Sequence, residues 1–212
     1  MPSKSYKSSH QTKNNILQKA LELFNESGTA SVSMNALAEA LGISAGNLHY
    51  HYKSKEEVIR AIYELMFSEW DVIYGVRDES FNLRILRGIL RKNFELTWKY
   101  RFFYREYAAL LRNDAQLSKR FRAIQEQRVS DQVALIKRLA EAAGGGSAFD
   151  PKEIKNVAHI GWILANTWLC YIESTGRKIR KAVLEEAVEM MLLYYKPYLF
   201  SSLEYRASTA AK

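Results

Sequence analysis

The sequence predicts an all-α chain, and three observations predict it. Apolar residues recur at three- and four-residue spacing through long segments, the period of a helix with one buried face. Start and stop residues bracket those segments, with Ser33, Ser44 and Asp150-Pro151 before them and Gly28 and Gly42 after. No segment reads convincingly as a strand, and about nine helices are expected.

Residues 1–10 are polar and basic and read as a mobile arm. The first helix is expected from about Thr12 to Asn25, with Ile16, Ala20 and Phe24 in one row, Leu17 and Leu21 in the next, and Gly28 ending it. Ser33 caps a second helix that turns Met34, Leu37 and Leu41 inward. Gly42 suits the left-handed residue that ends it.

Ser44 caps a short third helix. Ile43 and Leu48 stand at the positions of a hydrophobic staple, and Leu48 and Tyr52, four apart, bury one face. The other face shows Ala45, Gly46, Asn47, His49 and Tyr50, all small, polar or aromatic, none acidic. A helix held on one side and narrow and acid-free on the other fits a DNA major groove.

Ser54-Lys55-Glu56-Glu57 matches a capping box and opens a long helix to about Tyr74, uninterrupted by Pro or Gly before Gly75. Leu83–Lys99 reads as another helix, followed by an aromatic run with Phe102, Phe103, Tyr104 and Tyr107. Asp114 suits the N-cap of a helix reaching Leu139. Gly144-Gly145-Gly146-Ser147 reads as a flexible connector, since it lacks the preceding strand and the following Lys-Ser or Lys-Thr of a phosphate loop. Asp150-Pro151-Lys152-Glu153 starts a helix to about Ser174. A basic turn over Gly176–Lys181 leads to a last helix from about Ala182, which Pro197 should end or kink near Lys196.

The chain has 212 residues and a formal charge of +8, which favours an anionic partner such as nucleic acid. Residues 1–55 carry six lysines against three glutamates, and Arg84–Arg122 is more basic still. Charge therefore supports DNA binding in part, and the third helix carries more of the inference. One cysteine, Cys170, cannot form an internal disulfide and reads as a small buried residue. His10, His49, His51 and His159 form no metal-ligand spacing. No signal-peptide pattern or membrane-length apolar run is seen, so a cytoplasmic protein is expected. No cofactor is implied. Without a nucleophile–base pair, metal spacing or phosphate loop, an enzyme is the weakest reading.

The run from Thr12 to Lys55 resembles the N-terminal DNA-binding domain of the TetR family of bacterial transcription regulators. The matching residues are Ala20-Leu21-Glu22-Leu23-Phe24-Asn25-Glu26-Ser27-Gly28, Leu37-Ala38-Glu39-Ala40-Leu41-Gly42-Ile43-Ser44, Gly46-Asn47-Leu48 and Tyr52-Lys53-Ser54-Lys55. The run from Thr12 to Lys55 covers about a fifth of the chain. The chain departs at His49, where the family usually has Tyr, and at Tyr52, where it usually has Phe.

The resemblance implies a helix-turn-helix domain over residues 1–53, a helical effector-binding and dimerisation domain over 54–204 and a flexible tail over 205–212. It implies a homodimer on a palindromic operator, released by a small molecule through the long helix that begins at Ser54. The DNA candidates are Ser33, Ser44, Ala45, Gly46, Asn47, His49, Tyr50 and Lys55. Asn47 suits an adenine edge, Ala45 a thymine methyl, and Lys55 a phosphate. The dimer candidates are Trp168, Leu184, Val188, Met191 and Leu192 in the last two helices. The aromatic supply for an effector pocket is Phe67, Trp70, Trp98, Phe103, Tyr107, Trp162 and Tyr171, with Asn166 among them. Arg84, Arg87, Arg91, Lys92, Lys99, Arg101 and Arg105 suggest a hydrophobic, anionic effector. The rival reading is an architectural DNA-binding protein without effector.

Overall fold

The structure is a computed structural model and describes residues 4–74, 83–142 and 150–199. Among them are nine helices and no strand: α1 (Lys4–Ser27), α2 (Met34–Leu41), α3 (Ala45–His51), α4 (Lys55–Tyr74), α5 (Leu83–Lys99), α6 (Arg101–Asn113), α7 (Ala115–Ala142), α8 (Pro151–Ser174) and α9 (Lys181–Leu199). The glycine-rich connector Gly144–Ser147 and the tail 205–212 lie outside the described residues.

The helices form two compact units. The first takes residues 1–69 and 100–117, the second 70–99 and 118–212. Packing thus groups α6 and most of α4 with the N-terminal helices, a different partition from the division expected at residue 53.

The first unit is built on the apolar rows of α1. Ile16, Ala20 and Phe24 are buried with Leu37, Leu48, Val58 and Ile62. α6 completes this core: the Phe102 ring lies 5.4 Å from that of Phe24, and Phe103 lies 4.9 Å from Tyr63. Tyr100, fully buried, donates its hydroxyl to Glu69 Oε1 at 2.8 Å. Burial, then the Glu69 carboxylate, pushes this phenol up.

α1 begins at Lys4, not near Thr12, so the segment read as an arm is helical from Lys4 onward. No Pro or Gly separates Lys4 from Ser27. Side-chain contacts four residues apart, Gln11 to Asn15 at 3.0 Å and His10 with Asn14 at 3.4 Å, support these early turns.

In the second unit α5, α7, α8 and α9 enclose Leu86, Phe94, Ile136, Leu139, Ala158, Leu169, Val188 and Met191. Arg91 forks onto Glu185 with bonds of 2.7 and 2.9 Å, and Arg87 pairs with Glu189, tying α5 to α9. Arg128 is 3% exposed and offsets its buried charge against Asp71 at 2.6 Å and Asp131 at 2.8 Å. Gly161 lets α8 come close to its neighbours. A Cβ there would meet Gln132 Oε1 and Tyr194 Cε1 at 3.1 Å and the Tyr195 hydroxyl at 3.2 Å. The Tyr194 hydroxyl donates to the Val157 carbonyl.

α9 does not end before its proline. It runs through Pro197 to Leu199. The missing proline N–H leaves the carbonyl of Leu193 without its helical donor. Leu193 is exposed, so water can supply that bond. No described helix is long and apolar enough to cross a membrane.

Candidate nucleic-acid interface

The turn from α2 to α3 follows from its residues. Gly42 takes φ +65°, and the N–H groups of Gly42 and Ile43 donate to Glu39 and Ala38 carbonyls at 3.0 and 3.1 Å. This is the paired closure of a helix by a left-handed glycine. Ser44 then accepts the Asn47 N–H at 3.1 Å and starts α3, as Ser33 accepts the Ala36 N–H at 3.1 Å and starts α2. Leu48 is fully buried and Tyr52 nearly so. Burial pushes the Tyr52 phenol up.

Those anchors leave the other side of α3 bare. Ala45, Gly46, Asn47, His49 and Tyr50 are exposed, and Tyr50 keeps 75% of its surface. The Tyr50 ring meets His51 edge-on at 5.2 Å. No carboxylate stands on α3. A Cβ on Gly46 would find only Ser44 Oγ, at 4.0 Å, so packing does not demand a glycine there.

Ser44 through Tyr50 are therefore gathered on one short helix, and Ser33 is exposed at the start of α2. Both serine hydroxyls serve as caps. Lys55 is turned inward: its Nζ donates to the Thr29 carbonyl at 2.6 Å, which holds the α1–α2 turn and engages the amine intended for a phosphate. The capping box at α4 is displaced by one residue. Glu57 N–H donates to Ser54 Oγ at 3.4 Å, but the Glu57 carboxylate reaches back to the Lys53 N–H at 2.7 Å.

Sequence reading missed the residues that hold this turn from α6. Glu106 accepts the Thr29 N–H at 3.1 and 3.3 Å and its hydroxyl at 2.5 Å. Asn25 Oδ1 accepts the Phe102 N–H at 3.0 Å, and Arg105 donates to the Asn25 carbonyl at 3.0 Å. No sequence pattern joins residues 77 positions apart.

The effector candidates are divided between the two units. Phe67, Phe103 and Tyr107 belong to the first unit, while Trp70, Trp98, Trp162, Asn166 and Tyr171 belong to the second. Phe103 and Trp70 are buried, Tyr171 is exposed, and Asn166 donates to the Trp162 carbonyl of its own helix at 2.7 Å. A cavity of about 530 Å³ lies between α7 and α8, and of these eight candidates Trp162 lines it. Its other walls include Val129, Val133, Lys137, Lys155 and His159.

The dimer candidates are mostly packed within the chain. Trp168, Val188, Met191 and Leu192 are buried within the chain, with Trp168 5.3 Å from the Phe94 ring, and Leu184 is half-buried. These four side chains keep at most 8% of their surface in the single chain. Among the described residues, the large apolar side chains that these helices expose are Ile160, Ile163 and Tyr171 on α8 and Leu193 on α9. Among the described residues no cluster of His, Cys, Asp or Glu fits a metal ion.

Two family models match successive parts of the chain. Residues 16–62 match the model described as bacterial regulatory proteins of the tetR family, and residues 73–204 match the TetR model described as bacterial transcriptional repressor. The HTH-type transcriptional regulator AcrR of Shigella flexneri is 32% identical over 93 residues, 42% of this chain and 43% of AcrR. UidR of Escherichia coli K12, another HTH-type transcriptional regulator, is 45% identical over 51 residues, 24% of this chain and 26% of UidR. The chain thus spans less than half the length of these curated relatives. A TetR-family transcriptional regulator from Marinobacter aquaeolei VT8 superposes with a TM-score of 0.80 at 25% identity, covering 89% of this chain and 91% of that one. Two models of one family account for nearly all of the chain from residue 16 to residue 204, and this protein belongs to the TetR family of bacterial transcription regulators.

Proposed function

We propose that the protein is a dimeric repressor that reads a palindromic operator with α3 and is released by a small molecule. The observation that carries the DNA reading is the face of α3: capped by Ser44, anchored by Leu48, and bare of acid from Ala45 to Tyr50. Asn47 reads a base edge, adenine best, and Ala45 meets a thymine methyl. Tyr50 and His49 reach bases or phosphates. The exposed start of α2 at Ser33 offers the positive end of a helix to a phosphate.

One short helix covers only a few base pairs, so a dimer is needed to specify a site. Two copies place their α3 helices in successive major grooves, about 34 Å apart. The surface that supports self-association is the exposed row Ile160, Ile163 and Tyr171 on α8, together with the exposed Leu193 on α9.

The effector is a hydrophobic anion. The cavity between α7 and α8 supports this reading, because its size falls in the range of small-molecule sites. Val129, Val133 and Trp162 suit an apolar body, and Lys137 and Lys155 suit a carboxylate or phosphate. The effector releases DNA only by binding the DNA-free arrangement more tightly.

The test is selection of bound fragments from a library of the source genome at a stated, moderate salt. Recovery of a shared palindrome is expected. DNA without a shared sequence would favour the architectural reading, and no recovered DNA would refute the proposal.

A further inference from the structure

The turn between α1 and α2 is clasped by side chains from two other helices. Gly28 leaves α1 with φ +76°, and the space beside it belongs to Glu106. A Cβ on Gly28 would lie 2.9 Å from Glu106 Oε1. Thr29, which is buried, has every polar group engaged. Its N–H and hydroxyl donate to the Glu106 carboxylate on α6, and its carbonyl accepts Lys55 Nζ from the start of α4. One turn earlier Asn25 and Arg105 tie α1 to the same side of α6. A cavity of about 260 Å³, lined in part by Thr29, Ala30, Lys55 and Glu106, adjoins the clasp. The carboxylate therefore has room to disengage.

We infer that Thr29 and Glu106 are positioning residues for operator recognition. This rests on the reading of α3 as the DNA-contacting helix. The α1–α2 turn is the single covalent lead from α1 to the helix-turn-helix, so fixing it fixes where α2 and α3 stand against α1 and α6. Charge-assisted bonds from a carboxylate to both an amide and a hydroxyl are directional as well as strong. Releasing them leaves the side chains of α3 unchanged but lets the helix pair shift, and a shift of about 1 Å suffices to spoil base contacts. Glu106 thus acts on DNA through Thr29, from a helix that the chain reaches only after α5.

The experiment uses the full chain and an operator fragment recovered as above, with fluorescence anisotropy against operator and against a scrambled duplex. Each variant is measured well below its own melting temperature. Thr29→Val removes the hydroxyl at nearly constant shape, Thr29→Ser keeps it, and Glu106→Gln removes the charge. Thr29→Val and Glu106→Gln should each weaken operator binding about tenfold, with the scrambled duplex unaffected and Thr29→Ser within about twofold of wild type. The double variant should lose little more than either alone, the signature of a shared interaction. Should Glu106→Gln fail to fold, the Thr29 pair carries the test. Wild-type operator affinity in folded Thr29→Val, equal loss on both duplexes, or equal loss in Thr29→Ser would each overturn the inference. Wild-type protein that binds neither duplex would instead refute the DNA reading itself.

Discussion

Asp114 closes α6 and opens α7, and removing it tests how the first unit holds together. Its Oδ1 accepts the N–H groups of Gln116 and Leu117, both at 3.0 Å, and its Oδ2 takes Arg60 Nη1 at 2.6 Å. The cap contributes about 1 kcal/mol. The ion pair contributes about 1 kcal/mol more, because Arg60 keeps 29% of its side-chain surface and solvent screens the pair. Asp114→Ala should therefore cost about 2 kcal/mol, a fall of roughly 10 °C in the melting of a unit this small. Asp114→Asn keeps a capping oxygen and should cost about half as much. Burial pushes the Asp114 carboxyl up, but the Leu117 N–H and the Arg60 guanidinium outweigh it and leave the group below its ordinary value. A carboxyl depressed in the folded state contributes fully above its unfolded value, near pH 4, and loses that contribution as pH falls through the folded value. The gap between wild type and Asp114→Asn should hold steady from pH 7 to about pH 5 and shrink below pH 4. Thermal unfolding followed by circular dichroism reads both effects. An Asp114→Ala variant that melts with wild type at pH 7, or an Asp114→Asn gap that survives acidification, would refute the reasoning.

Asn47→Ala should weaken binding to the preferred site about tenfold while sparing non-specific duplex, as a lost bidentate base contact does; equal loss on both would remove the base-reading role. Gly46→Ala meets no atom nearer than 4.0 Å and should leave melting unchanged or slightly raised, yet weaken operator binding by filling the approach to the groove. Ile163→Glu, on the exposed row of α8, should yield monomers by light scattering at micromolar concentration, with the helical spectrum intact. A variant that stays dimeric would move the interface away from this row.

Local chemistry made much of the fold legible. Ser33, Ser44, Gly42 and Asp150 act on backbone groups within four residues, so the starts of α2, α3 and α8 and the turn before α3 could be read from their neighbours alone. The exposed face of α3 followed because Leu48 and Tyr52 fix which side is buried. Periodicity was less informative where a helix has apolar residues on two sides. α8 buries Ile154, Val157, Ala158, Ala165, Trp168 and Leu169 and exposes Ile160, Ile163 and Tyr171. An apolar stripe needs a cover, but its spacing does not tell a neighbouring helix from a second copy; in the single chain, Trp168, Val188, Met191 and Leu192 are buried.

The sequence by itself determined an all-helical protein whose third helix is capped, anchored and bare toward solvent, because caps, glycine turns and i, i+4 rows act over a few residues. Only the tertiary structure decided that α6 packs beside α1, that Glu106 holds Thr29, and that Lys55 faces a backbone carbonyl. The Glu106 and Lys55 contacts join residues 77 and 26 positions apart. A carboxylate on an amphipathic helix looks like any solvated charge until the fold brings its partner to it, and proximity of that kind has no local signature.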